Sequence, residues 1–209
     1  MGLRDKDENR IVLFGGSFNP IHNGHIAIAK TAAEEFGLEE IVLLPNKTTY
    51  YKEHSEVYAT DDDRLNMLQI VAEMYPFLSV NDMEIRRGGV TRTIDTVDEL
   101  LKEDSERKIY LIIGTDSLAW IDKWVDSNRL LANVSLIVAM RKGMDDRDYD
   151  IKSSMLKAMH PSLEIYKLGL EKIDISSSEI RNKIKSGESV NELIPMEITK
   201  YIVDRGLYE

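Results

Sequence analysis

The sequence predicts an α/β fold, a doubly wound parallel sheet with helices on both faces and further helices at the C-terminal end. Three observations predict it. Short apolar runs alternate with stretches of helical periodicity, the pattern of right-handed βαβ units. The first apolar run passes directly into a glycine turn, Gly15-Gly16. The loops with the most chemically useful residues all follow strands, and ligands of such sheets bind beyond the strands' carboxyl ends.

In chain order, strands are expected at Ile11–Phe14, Ile41–Leu44, Leu78–Val80, Ile109–Ile113, Val134–Met140 and Leu163–Leu168. Helices are expected at Ile26–Phe36, Arg64–Tyr75, Thr96–Glu103 and Ile151–His160. Loops follow the first, second and fourth strands at Gly15–His25, Pro45–His54 and Gly114–Trp124. Arg141–Asp150 reads as a charged surface loop. The last forty residues leave the alternation. Ser176 and Glu179 have capping-box spacing at a helix start, and Pro195 opens a final helix through Tyr201 and Ile202. The organisation expected is a charged tail over 1–9 and one domain over 10–209, with its C-terminal helical part at about 175–209.

Composition narrows the function classes. The 209 residues include no cysteine, so a disulfide framework or thiolate metal site is excluded. The N-terminal residues are charged, not a signal peptide, and no apolar run approaches spanning length, so a cytoplasmic protein is expected. A formal net charge of −10 argues against broad binding to nucleic acid or an anionic membrane. An anionic ligand would need positive charge gathered locally.

The most informative stretch is Gly-Gly-Ser-Phe-Asn-Pro-Ile-His-Asn-Gly-His, residues 15–25. Glycines behind a strand let the backbone approach a ligand, and the first turn of the next helix presents N–H groups to an anion. The spacing matches neither G-x-G-x-x-G nor a P-loop. It offers instead His22 and His25, three apart and so on one face if both lie in the first turn, where they can donate to one phosphate. His25 is expected to face solvent and to carry little packing.

Together these loops resemble the nucleotidylyltransferase superfamily marked by (H/T)-x-G-H and a late S-S-x-x-I-R motif, and within it the bacterial nicotinate-nucleotide adenylyltransferases. The likeness lies in Gly15–His25, Pro45-Asn46, Thr93–Thr96, Gly114–Leu118 with Trp124, Ile175–Arg181, Leu193–Pro195 and the Tyr201…Leu207-Tyr208 ending. It implies a Rossmann-like nucleotidylyltransferase fold and adenylyl transfer from ATP to nicotinate mononucleotide. Magnesium would be carried by the ATP phosphates. By the same resemblance His22, His25 and Arg181 are the catalytic group. Gly15, Gly16, Ser17, Phe18, Gly114, Asp116, Ser176, Ser177 and Ser178 are the ATP site. Asn46, Tyr51, Lys52, Thr93 and Trp124 are the acceptor site, and the protein contributes no metal ligand. The chain departs from the family at Tyr51, where a histidine is usual, and at Thr91-Arg92-Thr93, where Ser-Tyr-Thr is usual.

Plainer readings compete. A zinc reading of His22 and His25 needs more ligands, and only His54 and His160 remain. Trp124 can be read as a partly buried aromatic. Asp61-Asp62-Asp63 suits a helix dipole, Arg86-Arg87 and Lys47 read as solvated surface charge, and Asp95 reads as a helix cap. Two rival functions stand beside the main one: the same chemistry on nicotinamide mononucleotide or phosphopantetheine, and a nucleotide sensor without turnover. The oligomeric state is left open.

Overall fold

Six parallel strands form one sheet in the order β3-β2-β1-β4-β5-β6. They are β1 (Arg10–Gly16), β2 (Ile41–Pro45), β3 (Leu78–Val80), β4 (Lys108–Gly114), β5 (Val134–Ala139) and β6 (Ile165–Lys167). The computed structural model describes residues 9–47, 59–140, 145–170 and 174–209. Every predicted strand is present, the last trimmed to three residues. Of the predicted charged tail only Asn9 is described, and its carbonyl accepts the Lys108 N–H at 2.9 Å beside β1.

Side chains alternate between the faces of the sheet, as the pleat dictates. Val12 and Phe14 enter one core with Leu43 and Ile112, whereas Leu13 enters the other with Val42 and Leu111. The first face is covered by α1 (Asn23–Phe36) and α2 (Asp61–Met74), together with α8 (Ser177–Lys185) and α9 (Met196–Arg205). The second face is covered by α3 (Met83–Arg87), α4 (Thr93–Glu103), α5 (Thr115–Trp120), α6 (Ser127–Asn133) and α7 (Asp146–Met159). Crossovers therefore change face at β1 and β4, the central pair. A doubly wound sheet opens its ligand crevice at that point.

Helix boundaries differ from the sequence reading where short polar segments are recruited. α1 starts two residues before His25, with His22 as its N-cap, and stops at Gly37, whose φ of 61° only glycine adopts without strain. The predicted Gly114–Trp124 loop is instead α5 followed by one 3₁₀ turn, Ile121–Lys123, because Leu118 and Ile121 are buried. The second half of the predicted Arg141–Asp150 loop is the first turn of α7, capped by Asp145 on the Asp148 N–H. Arg86-Arg87 closes the short helix α3, and Arg87 is tied to Glu99 and Thr96 rather than simply solvated. Asp95 lies inside the first turn of α4 and does not cap it.

The acidic run at 61–63 does more than favour a helix dipole. The Asp63 carboxylate accepts from the Thr60 hydroxyl (2.6 Å), the Tyr201 hydroxyl (2.9 Å) and Arg205 Nε (3.1 Å), fastening α9 to α2. Burial opposes its charge, but these donors prevail and hold the carboxyl below its ordinary value of 3.8. Asp63→Asn at neutral pH should lower stability by about 1–3 kcal/mol, since an amide cannot accept on both sides. The native carboxylate's advantage exists above pH 3.8 and is lost as pH falls through the lower folded value. Thermal unfolding of both proteins should therefore show a gap at pH 7 that closes towards pH 3. A gap unchanged at pH 3 would mean the charge is not its source.

Candidate active site

A cleft of about 810 Å³ opens over the carboxyl ends of β1 and β4. One wall is the segment between β1 and α1. There the chain turns through a cis Asn19-Pro20 peptide, with Phe18 in the left-handed region at φ 45°. The Phe18 ring is buried edge-on to Phe14 and His25, with centroids 5.7 and 5.0 Å away. A Cβ placed on Gly16 would lie 3.2 Å from that ring, so a side chain there would press on the Phe18 ring and the ring would have to give by a few tenths of an ångström. At Gly15 the nearest atom to such a Cβ is the Leu44 carbonyl oxygen at 4.0 Å, so the protein itself leaves that position open.

His22 and His25 form a reciprocal cap. The His25 N–H donates to His22 Nδ1 and the His22 N–H donates to His25 Nδ1, both at 3.3 Å. The rings stack with centroids 3.6 Å apart. Because each Nδ1 accepts, a neutral ring must carry its proton on Nε2, so the backbone itself selects the donor tautomer. The first-turn N–H groups are less available than the sequence reading expects. That of His25 is capped, and that of Asn23 donates to the Leu193 carbonyl at 2.9 Å. Imidazole edges, more than helix N–H groups, are what this turn presents. His25 is also not the lightly packed residue expected, since it stacks on His22 and abuts two phenylalanines.

The start of α8 faces this turn. Ser176 Oγ accepts the Glu179 N–H at 3.1 Å, so the predicted cap forms, but that hydroxyl lies outside the cleft lining and serves the helix. Ser177 and Ser178 do line the cleft. The Ser177 hydroxyl donates to the Pro20 carbonyl at 2.9 Å, while Ser178 Oγ accepts from Arg181 at 3.1 Å. Arg181 is buried and donates to the Asn19 carbonyl at 2.7 Å, so its guanidinium is held against the same turn as the histidines.

The other half of the cleft is built from β2, α4 and α5. Asn46 sits beside Ser17, its N–H donating to the Gly16 carbonyl at 3.0 Å. Thr93 opens α4, Gly114 caps α5, and Asp116 is exposed on the first turn of α5. Trp124 ends the 3₁₀ turn and is partly buried against the second core, as the plain reading has it, and it also lines the cleft. Glu84 and Thr96 form a buried pair in the same wall, the Thr96 hydroxyl donating at 2.7 Å. Burial raises the Glu84 carboxyl, against the opposing pull of Thr96 and Arg87.

Residues 13–183 match the family model for cytidylyltransferase-like proteins. A protein of Lachnoclostridium phytofermentans, named as a probable nicotinate-nucleotide adenylyltransferase, is 35% identical over 95% of this chain and 98% of its own. One of Dehalococcoides mccartyi, named likewise, is 33% identical over 94% of this chain and 95% of its own. This chain belongs to the nicotinate-nucleotide adenylyltransferase family.

The fold of the family extends to distant structures. Plasmodium falciparum nicotinic acid mononucleotide adenylyltransferase, solved with NaAD, superposes with a TM-score of 0.75 at 21% identity, covering 95% of this chain and 97% of its own. The same enzyme complexed with APC also gives 0.75, at 18% identity, over 95% of this chain and 96% of its own.

Within this member of the adenylyltransferase family, most residues predicted for the site fall on one cleft. Gly15, Gly16, Ser17, Phe18, His22, His25, Asn46, Thr93, Gly114, Asp116, Trp124, Ser177, Ser178 and Arg181 line it. Ser176 does not, and Tyr51 and Lys52 lie outside the described residues. The sequence reading misses Asn19, Glu84 and Thr96 as lining residues. Asn19 and Thr96 sit inside stretches already singled out, whereas Glu84 had only its short helix to mark it.

The reciprocal cap gives a test that separates support from chemistry. Glutamine at the third helical position can accept from the cap N–H as His25 does, whereas alanine cannot. His25→Ala should cost about 1 kcal/mol of stability and His25→Gln clearly less, read from denaturant midpoints. Equal losses would show that the imidazole stacking, not the cap, carries the stabilisation.

Proposed function

We propose that this cleft carries out adenylyl transfer from ATP to nicotinate mononucleotide, yielding nicotinate adenine dinucleotide and pyrophosphate in NAD biosynthesis. The observation that carries the reading is the meeting of the two stacked histidines with Arg181 on one turn, opposite a wall bearing Thr93 and Trp124. The relatives named above support the choice of reaction.

An oxygen of the acceptor phosphate attacks the α-phosphorus of ATP in line. A new P–O bond forms as the bond to the β-phosphate oxygen breaks, and pyrophosphate leaves with the electron pair. The protein needs no nucleophile, so its work is positioning and charge stabilisation. The Nε2–H edges of His22 and His25 meet the triphosphate. His25, the more exposed of the two, takes the α-phosphate. Ser178 and Arg181 meet the departing pyrophosphate, an arginine fork suiting phosphate oxygens. Gly15 through Phe18 line the phosphate channel, and Gly114 and Asp116 face the adenosine half. Asn46 meets the acceptor phosphate, Thr93 the acceptor's carboxylate and Trp124 its pyridine ring.

Magnesium enters on the ATP phosphates. Among the described residues the cleft wall offers hydrogen-bond donors and one exposed carboxylate, Asp116, a set that suits a cation held by phosphate oxygens and water. No helix among the described residues is long and apolar enough to cross a membrane. With soluble substrates of this kind, we assign the reaction to the cytoplasm.

Pyrophosphate release with magnesium and ATP should be fastest with nicotinate mononucleotide, compared with nicotinamide mononucleotide and phosphopantetheine. Preference for either of the others would move Arg92 and Tyr51 to the centre of acceptor choice, and silence with all three would favour a sensor. Trp124→Ala should raise the acceptor KM about tenfold or more while changing that for ATP little, as expected for loss of an aromatic stacking surface. Equal effects on both substrates would remove Trp124 from the acceptor side.

A further inference from the structure

We propose that Arg64 is a positioning residue that sets the distance between the two reacting groups by clamping the ATP loop to the acceptor loop. The inference rests on the adenylyl-transfer reading above and goes beyond it, since Arg64 does not line the cleft. It is one of the largest side chains fully buried in the molecule, at 1% exposure. One guanidinium nitrogen donates to the Ser17 carbonyl at 2.7 Å, and the other donates to the Asn46 carbonyl at 2.7 Å. Ser17 follows β1 and belongs to the ATP side, whereas Asn46 follows β2 and belongs to the acceptor side. The same junction carries a direct bond, the Asn46 N–H to the Gly16 carbonyl at 3.0 Å.

Direct transfer requires the acceptor oxygen to approach phosphorus to within about 3–3.5 Å, and a misplacement of about 1 Å can cost a hundredfold in rate. A planar, rigid fork bonded to one carbonyl on each loop fixes that geometry in a way a lysine cannot, because an ammonium is a single point donor on a flexible stem. The charge is balanced from below. Asp61 pairs with the guanidinium, and its other oxygen takes Lys47 Nζ at 2.6 Å. Lys47, read from sequence as solvated surface charge, is therefore part of this chain of charges.

Stability alone is a poor explanation for the arrangement. Buried ion pairs can often be exchanged for apolar side chains without loss, because desolvation offsets the attraction. Arg64 Nε is also buried without a hydrogen-bond partner among the described residues, a cost that an apolar residue would avoid. What an apolar residue cannot do is bond two carbonyls on separate loops.

The test compares wild type with Arg64→Lys, and with the double variant Arg64→Met/Asp61→Asn, which removes the clamp without leaving a bare carboxylate and serves where the single variant does not fold. Three quantities are read: kcat per folded molecule, the Kd of ATP and of nicotinate mononucleotide each alone, and hydrogen exchange at the Asn46 amide. The expected result is a kcat lower by about 10–100-fold with each Kd changed by less than about threefold, because each loop still binds its own substrate. Exchange at Asn46 should quicken about tenfold or more as the junction loosens. Unchanged kcat in the folded variants would overturn the proposal. So would a rate loss matched by weaker binding of one substrate alone, or unchanged exchange at Asn46. Silence of the wild-type enzyme with every acceptor would overturn the functional reading instead, and the exchange comparison would still decide whether Arg64 holds the loops together.

Discussion

The site depends on Asn19, a buried residue in the turn between β1 and α1. Its carbonyl accepts from Arg181, and its side-chain oxygen accepts from the Tyr208 hydroxyl at 2.6 Å and the Ala59 N–H at 3.2 Å. Three segments distant in sequence are thereby fastened to the turn through one residue. Because the side-chain oxygen has both of its acceptor positions filled by fixed donors, the amide cannot rotate without breaking two bonds. The turn that carries His22 and His25 inherits that rigidity. Burial in turn raises the Tyr208 hydroxyl well above its ordinary range, so it stays protonated and remains a donor.

Electrostatics follow the same economy of placement. A chain of net charge −10 must gather its cations locally to bind a polyanion. Two of its buried cations have their positions set by backbone carbonyls: Arg181 on Asn19 and Arg64 on Ser17 and Asn46. Carbonyl partners orient a guanidinium without neutralising it, unlike a carboxylate. Arg64, with Asp61 beside it, works mainly through geometry.

Much of the architecture was legible because the strands are apolar on both faces and so read as uninterrupted runs. Leu136, Ile137 and Val138 are all buried although they alternate between two cores. The cleft-lining residues after β1 were legible because glycine, histidine and serine cluster where a strand meets a helix. Short elements were not. α5 carries Thr115 and Asp116 in its first turn, and its burial rests on Leu118 with the neighbouring Ile121, too few apolar positions to register as a period. Arg64 and Asp63 were hidden for another reason. Their roles depend on partners 47 and 138 residues away, and neither pairing leaves a local pattern. Ser176 caps α8 and stands outside the cleft lining, a distinction the sequence does not carry because a cap residue and a ligand residue have the same composition at a helix start.

The bond from Tyr208 to Asn19 spans 189 residues. The turn that carries both histidines is synthesised first, and the partner that locks its asparagine is made 189 residues later. The strands around it can pair before then, but the bond from residue 208 to Asn19 forms only once that residue has been made. A chain interrupted anywhere in α9 would thus carry both histidines and every glycine of the turn, and still lack the hydrogen bond that Tyr208 brings to it.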